Sequence, residues 1–126
     1  MQDFRKLYVW QKAHALTLEV YKAKANFPKE ELFGLTRQLR RACASIPANI
    51  AEGCGRGTDA DFARFLTIAM GSASETEYYL VLGRDLRLLD KAQCKSLDAR
   101  TTEVKRMLVA LIRRTKTNAR RLTAES

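Results

Sequence analysis

The chain has 126 residues, 46% of them hydrophobic and 29% charged, with six glycines and two prolines, which suits one domain with a buried core and excludes a disordered or low-complexity segment. Its 23 lysines and arginines against 14 acids give a net charge of +9, which points to polyanionic partners, nucleic acid first among them. MQDFRKLYVW has no apolar core segment and no stretch approaches a membrane span, so no membrane role is expected and the protein is placed in the cytoplasm.

Asp3 is expected to cap a short lead-in, Met1 to Lys6, with Phe4 tucked under the fold. A first helix is expected from Leu7 to Asn26. Its buried stripe is read as Trp10, Ala13, Thr17 (or Leu16), Val20 and Tyr21, with Lys12, Glu19, Lys22 and Lys24 in water. Pro28, Glu30 and Glu31 mark a turn and a new start, since carboxylates favour the positive end of a helix dipole. The second helix is expected from Lys29 to Glu52. Leu35, Leu39, Ala42, Ile46 and Ile50 follow at steps of four, three, four and four, so one apolar stripe continues past Pro47. A proline there removes a backbone donor and strands the carbonyl of Cys43, at about 3 kcal/mol. The unbroken register predicts one kinked helix rather than two. Gly53, Gly55 and Gly57 then end it.

Thr58 with Asp61 resembles a capping box and opens a third helix that should run to about Arg87. Phe62, Phe65 (with Leu66), Ala69, Ala73, Thr76, Leu80 and Gly83 repeat at three and four, a heptad-like seam. The small residues Gly71 to Ser74 are expected where this helix meets its tightest neighbour. Asp90 caps the last helix, on which Leu97, Thr101, Val104, Leu108, Leu111 and Thr115 form the seam. Its end is basic, and residues from about Asn118 to Ser126 are expected to fray. Short connections between long helices predict an all-α, antiparallel, up-and-down four-helix bundle, with residues 1–126 as one domain.

The run FGLTRQLRRACASIPANIAEGCGR, followed by FARFLTIAMGSASETE, resembles the four-helix-bundle family encoded by intervening sequences in bacterial 23S ribosomal RNA genes. That family is in turn similar to the accessory variability protein of diversity-generating retroelements. The resemblance implies a homo-oligomer, a five-subunit ring or barrel, with no agreed enzymatic role. Tyr78, Tyr79, Leu82 and Leu86 offer a second apolar strip, more than one core needs, in keeping with assembly.

A di-iron bundle needs inward carboxylates and Glu-x-x-His pairs, whereas this chain has a single histidine, His14, so neither a metal site nor a cofactor is expected. Cys43, Cys54 and Cys94 are an odd number without ligand spacing and read as reduced thiols. Cys43 and Cys54 would stand about 16 Å apart along one helix, beyond disulfide reach. Cys54 beside Arg56 has no partner base, and Gly53 to Gly57 lacks the strand and the Gly-Lys-Ser/Thr of a phosphate loop. Asn49, Glu52 and Glu75, with Arg56, are read as a structural polar network, Asn49 being placed to satisfy backbone groups freed by Pro47. No catalytic residue is assigned.

Two basic patches remain. Arg37, Arg40 and Arg41 share a face of the second helix. Lys105, Arg106, Arg113, Arg114 and Lys116, with Lys91 and Lys95, give the fourth a longer one, and Arg56 adds a cation in the glycine-rich loop. Aromatic residues are not interleaved with them, which favours backbone contacts over base stacking. The function expected is a non-enzymatic accessory protein binding structured RNA or a ribonucleoprotein. The alternative is a scaffolding homo-oligomer with a protein partner and no nucleic-acid role.

Overall fold

The computed structural model describes residues 2–23 and 32–125. Among these there are four α-helices and no strand. A 3-10 turn, Phe4–Lys6, precedes α1 (Tyr8–Lys22), and Asp3 caps that turn by accepting from the Arg5 amide at 3.1 Å. The buried face of α1 is Val9, Ala13, Leu16 and Val20. Ala13, Val20 and the alternative Leu16 of the expected stripe are thus buried and Val9 joins them, whereas Trp10 and Thr17 are half-buried and Tyr21 is 49% exposed. The aromatic rings take boundary positions instead, Trp10 between Phe4 and His14 at centroid distances of 4.9 and 4.8 Å. An amphipathic ring keeps its polar edge wet there, while compact aliphatics fill the centre. The helix closes at Ala23, whose amide returns to Glu19 at 3.0 Å. The expected extension to Asn26, the turn at Pro28 and the helix start at residues 29–31 lie outside the described residues.

A π-helical turn, Leu32–Thr36, leads into α2 (Arg37–Cys54), one continuous helix with Pro47 inside it. Leu35, Leu39, Ala42, Ile46 and Ile50 are all buried, so the apolar stripe stays in phase across the proline. The carbonyl that Pro47 frees is met from α1. Thr17 Oγ1 lies 3.3 Å from Cys43 O and 2.9 Å from Ala13 O, and the Cys43 thiol approaches the same hydroxyl at 3.7 Å. Asn49, expected in that role, donates to Ser45 O at 2.8 Å instead. The helix also outlasts its expected end at Glu52. Gly53 is buried within it, where a Cβ would come within 2.9 Å of Phe65 Cβ. Of Gly53, Gly55 and Gly57, only Gly57, at φ +86°, uses the left-handed region to turn the chain.

Thr58 accepts from the Asp61 amide at 3.2 Å and opens α3 (Asp59–Asp85). Every residue of its expected seam is buried. The tight approaches are at Gly53 and at Gly83, whose added Cβ would meet Leu89 Cδ1 at 2.6 Å; at Gly71 it would meet open space, although the neighbouring Ser72 does touch α2. The helix closes through Leu88 and Leu89 amides returning to Gly83 O, with Arg87 at φ +58°. Asp90 then caps α4 (Lys91–Glu125) through the Gln93 amide at 3.2 Å. Leu97, Thr101, Val104, Leu108 and Thr115 are buried and Leu111 half-buried. Residues 118–125 continue this helix in the structure.

The helices pack in the cyclic order α1, α2, α3, α4, with α4 returning to α1. Cross-helix pairs climb on one helix as they fall on the next. Gln2 meets Cys54, Thr17 meets Cys43, and Tyr21 meets Arg40. From α2 to α3, Arg41 meets Glu75 and Ser45 meets Ser72. From α3 to α4, Leu80 meets Cys94 and Glu77 meets Lys105.

Candidate nucleic-acid interface

The two basic patches differ in how much of their charge is already engaged. On α2, Arg41 holds Glu75 at 2.7 Å and Gln38 at 3.0 Å, and the hydrogen bond to Glu75 raises the guanidinium pKa further. Arg40 is half-buried, donates to Tyr21 O at 3.2 Å and lies 5.0 Å above that ring. Arg37 is exposed. Arg56 pairs with Glu52 at 3.4 Å and covers the Phe65 ring at 4.9 Å. Three of these four cations are therefore committed to neighbours in the fold.

On α4 the balance is reversed. Lys105 is held by Glu77 at 3.2 Å. Arg106, Arg113, Arg114 and Lys116 are exposed, and among the described residues none of them is in an ion pair. Lys105 and Arg106 border an opening of about 290 Å³ between α3 and α4, and Lys116 borders another of about 550 Å³. Thus α4 is held by its buried seam and presents free cations, of which Arg106 and Lys116 border the furrow it makes with α3. Sequence reading missed Arg64 and Arg84 on α3, which line that furrow too. The signal exists only once the helix pairing is known.

The polar set Asn49, Glu52, Arg56 and Glu75 does not gather into one network in this chain. Asn49 bonds Ser45, whose hydroxyl meets Ser72 at 2.9 Å; Glu52 pairs with Arg56; Glu75 takes Arg41, with the Tyr79 hydroxyl at 3.4 Å. Asn49 and Glu52 each take a partner four residues away in sequence, while Glu75 on α3 takes Arg41 across from α2. Cys43, Cys54 and Cys94 are all buried, and burial pushes each thiol up, Cys43 to about 11. A thiol held protonated is a poor nucleophile. Among the described residues, no group of three His, Cys, Asp or Glu is placed to hold a metal ion, and no helix is long and apolar enough to cross a membrane.

The fold agrees with what the chain is similar to. A solved structure of a protein of unknown function from the S23 ribosomal protein family of Bacteroides thetaiotaomicron superposes with a TM-score of 0.72. It is 27% identical, with 83% of this chain and 95% of that one covered. No curated protein matches. The family model described as 23S rRNA-intervening sequence protein matches residues 5–110, so the chain belongs to the 23S rRNA-intervening sequence protein family.

Proposed function

We propose that this protein is a non-enzymatic, cytoplasmic accessory factor that binds structured RNA, or a ribonucleoprotein, through its basic outer faces. Arg106, Arg113, Arg114 and Lys116, exposed on α4 and unpaired among the described residues, carry the proposal. Free cations beside one another release condensed counterions from a polyanion, whereas Arg41 and Arg56 must first give up a carboxylate. The family name, which ties these proteins to ribosomal RNA genes, supports RNA as the polymer. The scaffold proposed is an antiparallel up-and-down bundle with α2 bent at Pro47. The opposed numbering of the cross-helix pairs supports the antiparallel order, and the carbonyl of Cys43 that Pro47 leaves without its helical donor is the reason for the bend. An electrophoretic shift of structured RNA at low salt that fades steeply as salt rises is the expected result. No shift at low salt would remove the proposal.

A second reading is favoured by the apolar surface. Tyr78 and Leu86 on and just after α3 are 58% and 54% exposed, more than a monomer gains from showing. On this reading the chain is a homo-oligomer, a pentamer by family likeness, that scaffolds a protein partner. Capture of a protein partner, unchanged by nuclease, together with no RNA shift would favour it.

A further inference from the structure

Three openings follow one another along the furrow between α3 and α4. The first, about 320 Å³, is bordered by Arg84, Lys91 and Lys95; the second, about 290 Å³, by Lys105 and Arg106; the third, about 550 Å³, by Arg64, Lys116 and Arg120. Only Asp98 in the first and Glu77 in the second bring acids to the lining. Eight cations therefore line the furrow against two carboxylates in the lining, with Arg84 and Arg64 also paired to Asp85 at 3.1 Å and Asp61 at 3.8 Å just outside it. On α4 the three clusters recur at intervals of about 19 Å, and the row from Lys91 to Arg120 is about 43 Å long.

We propose that this furrow is the track on which a double-stranded RNA stem lies, lengthwise, its phosphates meeting the three cation clusters in turn. The inference rests on the RNA-binding reading above and adds where and in what form the RNA is held. No tyrosine, tryptophan or phenylalanine lines any of the three openings. A single strand laid there loses conformational entropy and gains no stacking in return, the usual compensation in single-strand grooves. A paired stem is already straight and keeps its bases stacked inside. Such stems are recognised by shape and by phosphates on successive grooves, which calls for separated clusters of cations on a rigid support rather than base-reading side chains. Two packed helices are that support. Arg64 shows the arrangement has slack, since it spends its charge on a loose 3.8 Å pair with Asp61 and on the Phe65 ring at 4.6 Å.

The test is fluorescence anisotropy with a 20-base-pair RNA duplex, the matching DNA duplex and an unstructured 20-nucleotide RNA. Wild type is compared with Arg106→Glu/Lys116→Glu and with a control of equal charge change on the opposite side, Lys6→Glu/Lys22→Glu. The RNA duplex is expected to bind most tightly. The furrow variant should lose about two units of salt slope and at least about tenfold in affinity, with the control changed much less. Equal losses in both variants, or tighter binding of the single strand or the DNA duplex, would overturn the furrow assignment while leaving nucleic-acid binding intact. Failure of wild type to bind all three probes would overturn the functional reading itself.

Discussion

Thr17 is predicted to be coupled to Pro47 although the two sit on different helices. Pro47 has no amide hydrogen, so Cys43 O lacks its helical partner, and the Thr17 hydroxyl, whose one proton is shared with Ala13 O, is the donor that reaches it, at 3.3 Å. Ala13 O, the other carbonyl near that hydroxyl at 2.9 Å, keeps the backbone donor of its own helix and loses little if the hydroxyl goes. Thr17→Val preserves shape and removes the donor, leaving a buried carbonyl unmet. Such groups cost about 1–3 kcal/mol, and the length of this bond and the half-buried position of Thr17 place it at about 1–2 kcal/mol. For a chain of this size that is a fall in Tm of about 4–8 °C. In a Pro47→Ala background the restored backbone amide donates to Cys43 O along the helix, so the same Thr17→Val change should cost under about 0.5 kcal/mol. Urea unfolding followed by circular dichroism, run as a double-mutant cycle, reads the coupling directly. A cost for Thr17→Val that is identical in both backgrounds would refute the assignment of Thr17 as the substitute donor.

Gly53→Ala forces a Cβ to within 2.9 Å of Phe65 Cβ and should destabilise by about 1–3 kcal/mol, whereas Gly71→Ala meets open space and should be neutral or stabilise by up to about 1 kcal/mol; calorimetric Tm values separate the two. Leu16→Ala opens the core of α1 and should cost about 2–5 kcal/mol in denaturant unfolding, while Tyr21→Ala at the rim should cost well under half of that. The Cys43 thiol titrates at about 11 when folded against 9.0 for a free thiol. Its raised pKa gives stability that is complete below pH 9 and lost as pH rises to 11, about 2–3 kcal/mol in all; Cys43→Ala should flatten that part of the pH–stability curve.

The seams of α3 and α4 were legible because an unbroken spacing of threes and fours runs the length of each, with Phe62, Leu66, Leu80, Leu97 and Leu108 all on it and buried. On α1 the spacing made Ala13, Leu16 and Val20 legible, whereas size alone wrongly sets Trp10 and Tyr21 beside them. Their rings do better at the boundary, stacked on His14 or lying under Arg40. The extension of α2 to Cys54 was hidden because a glycine near a helix end reads as a stop, while Gly53 is there for the approach of Phe62 and Phe65. Partners on other helices were out of reach as well. Nothing local pairs Thr17 with Cys43 or Glu75 with Arg41, whereas the Asn49–Ser45 and Glu52–Arg56 contacts each join residues four apart and lie within reach of the spacing. That α4 carries a basic face was plain from its spacing. That Arg64 and Arg84 border the same furrow follows only from the packing of α3 on α4.

The most direct test of the account is the salt dependence of RNA binding by the wild-type chain, plotted as log affinity against log salt concentration. If Arg106, Arg113, Arg114 and Lys116, exposed and unpaired among the described residues, meet phosphates, the slope should be about −3 to −4. A slope near zero, or no binding at low salt, would contradict the claim that this chain folds so as to leave its surplus positive charge free for a polyanion.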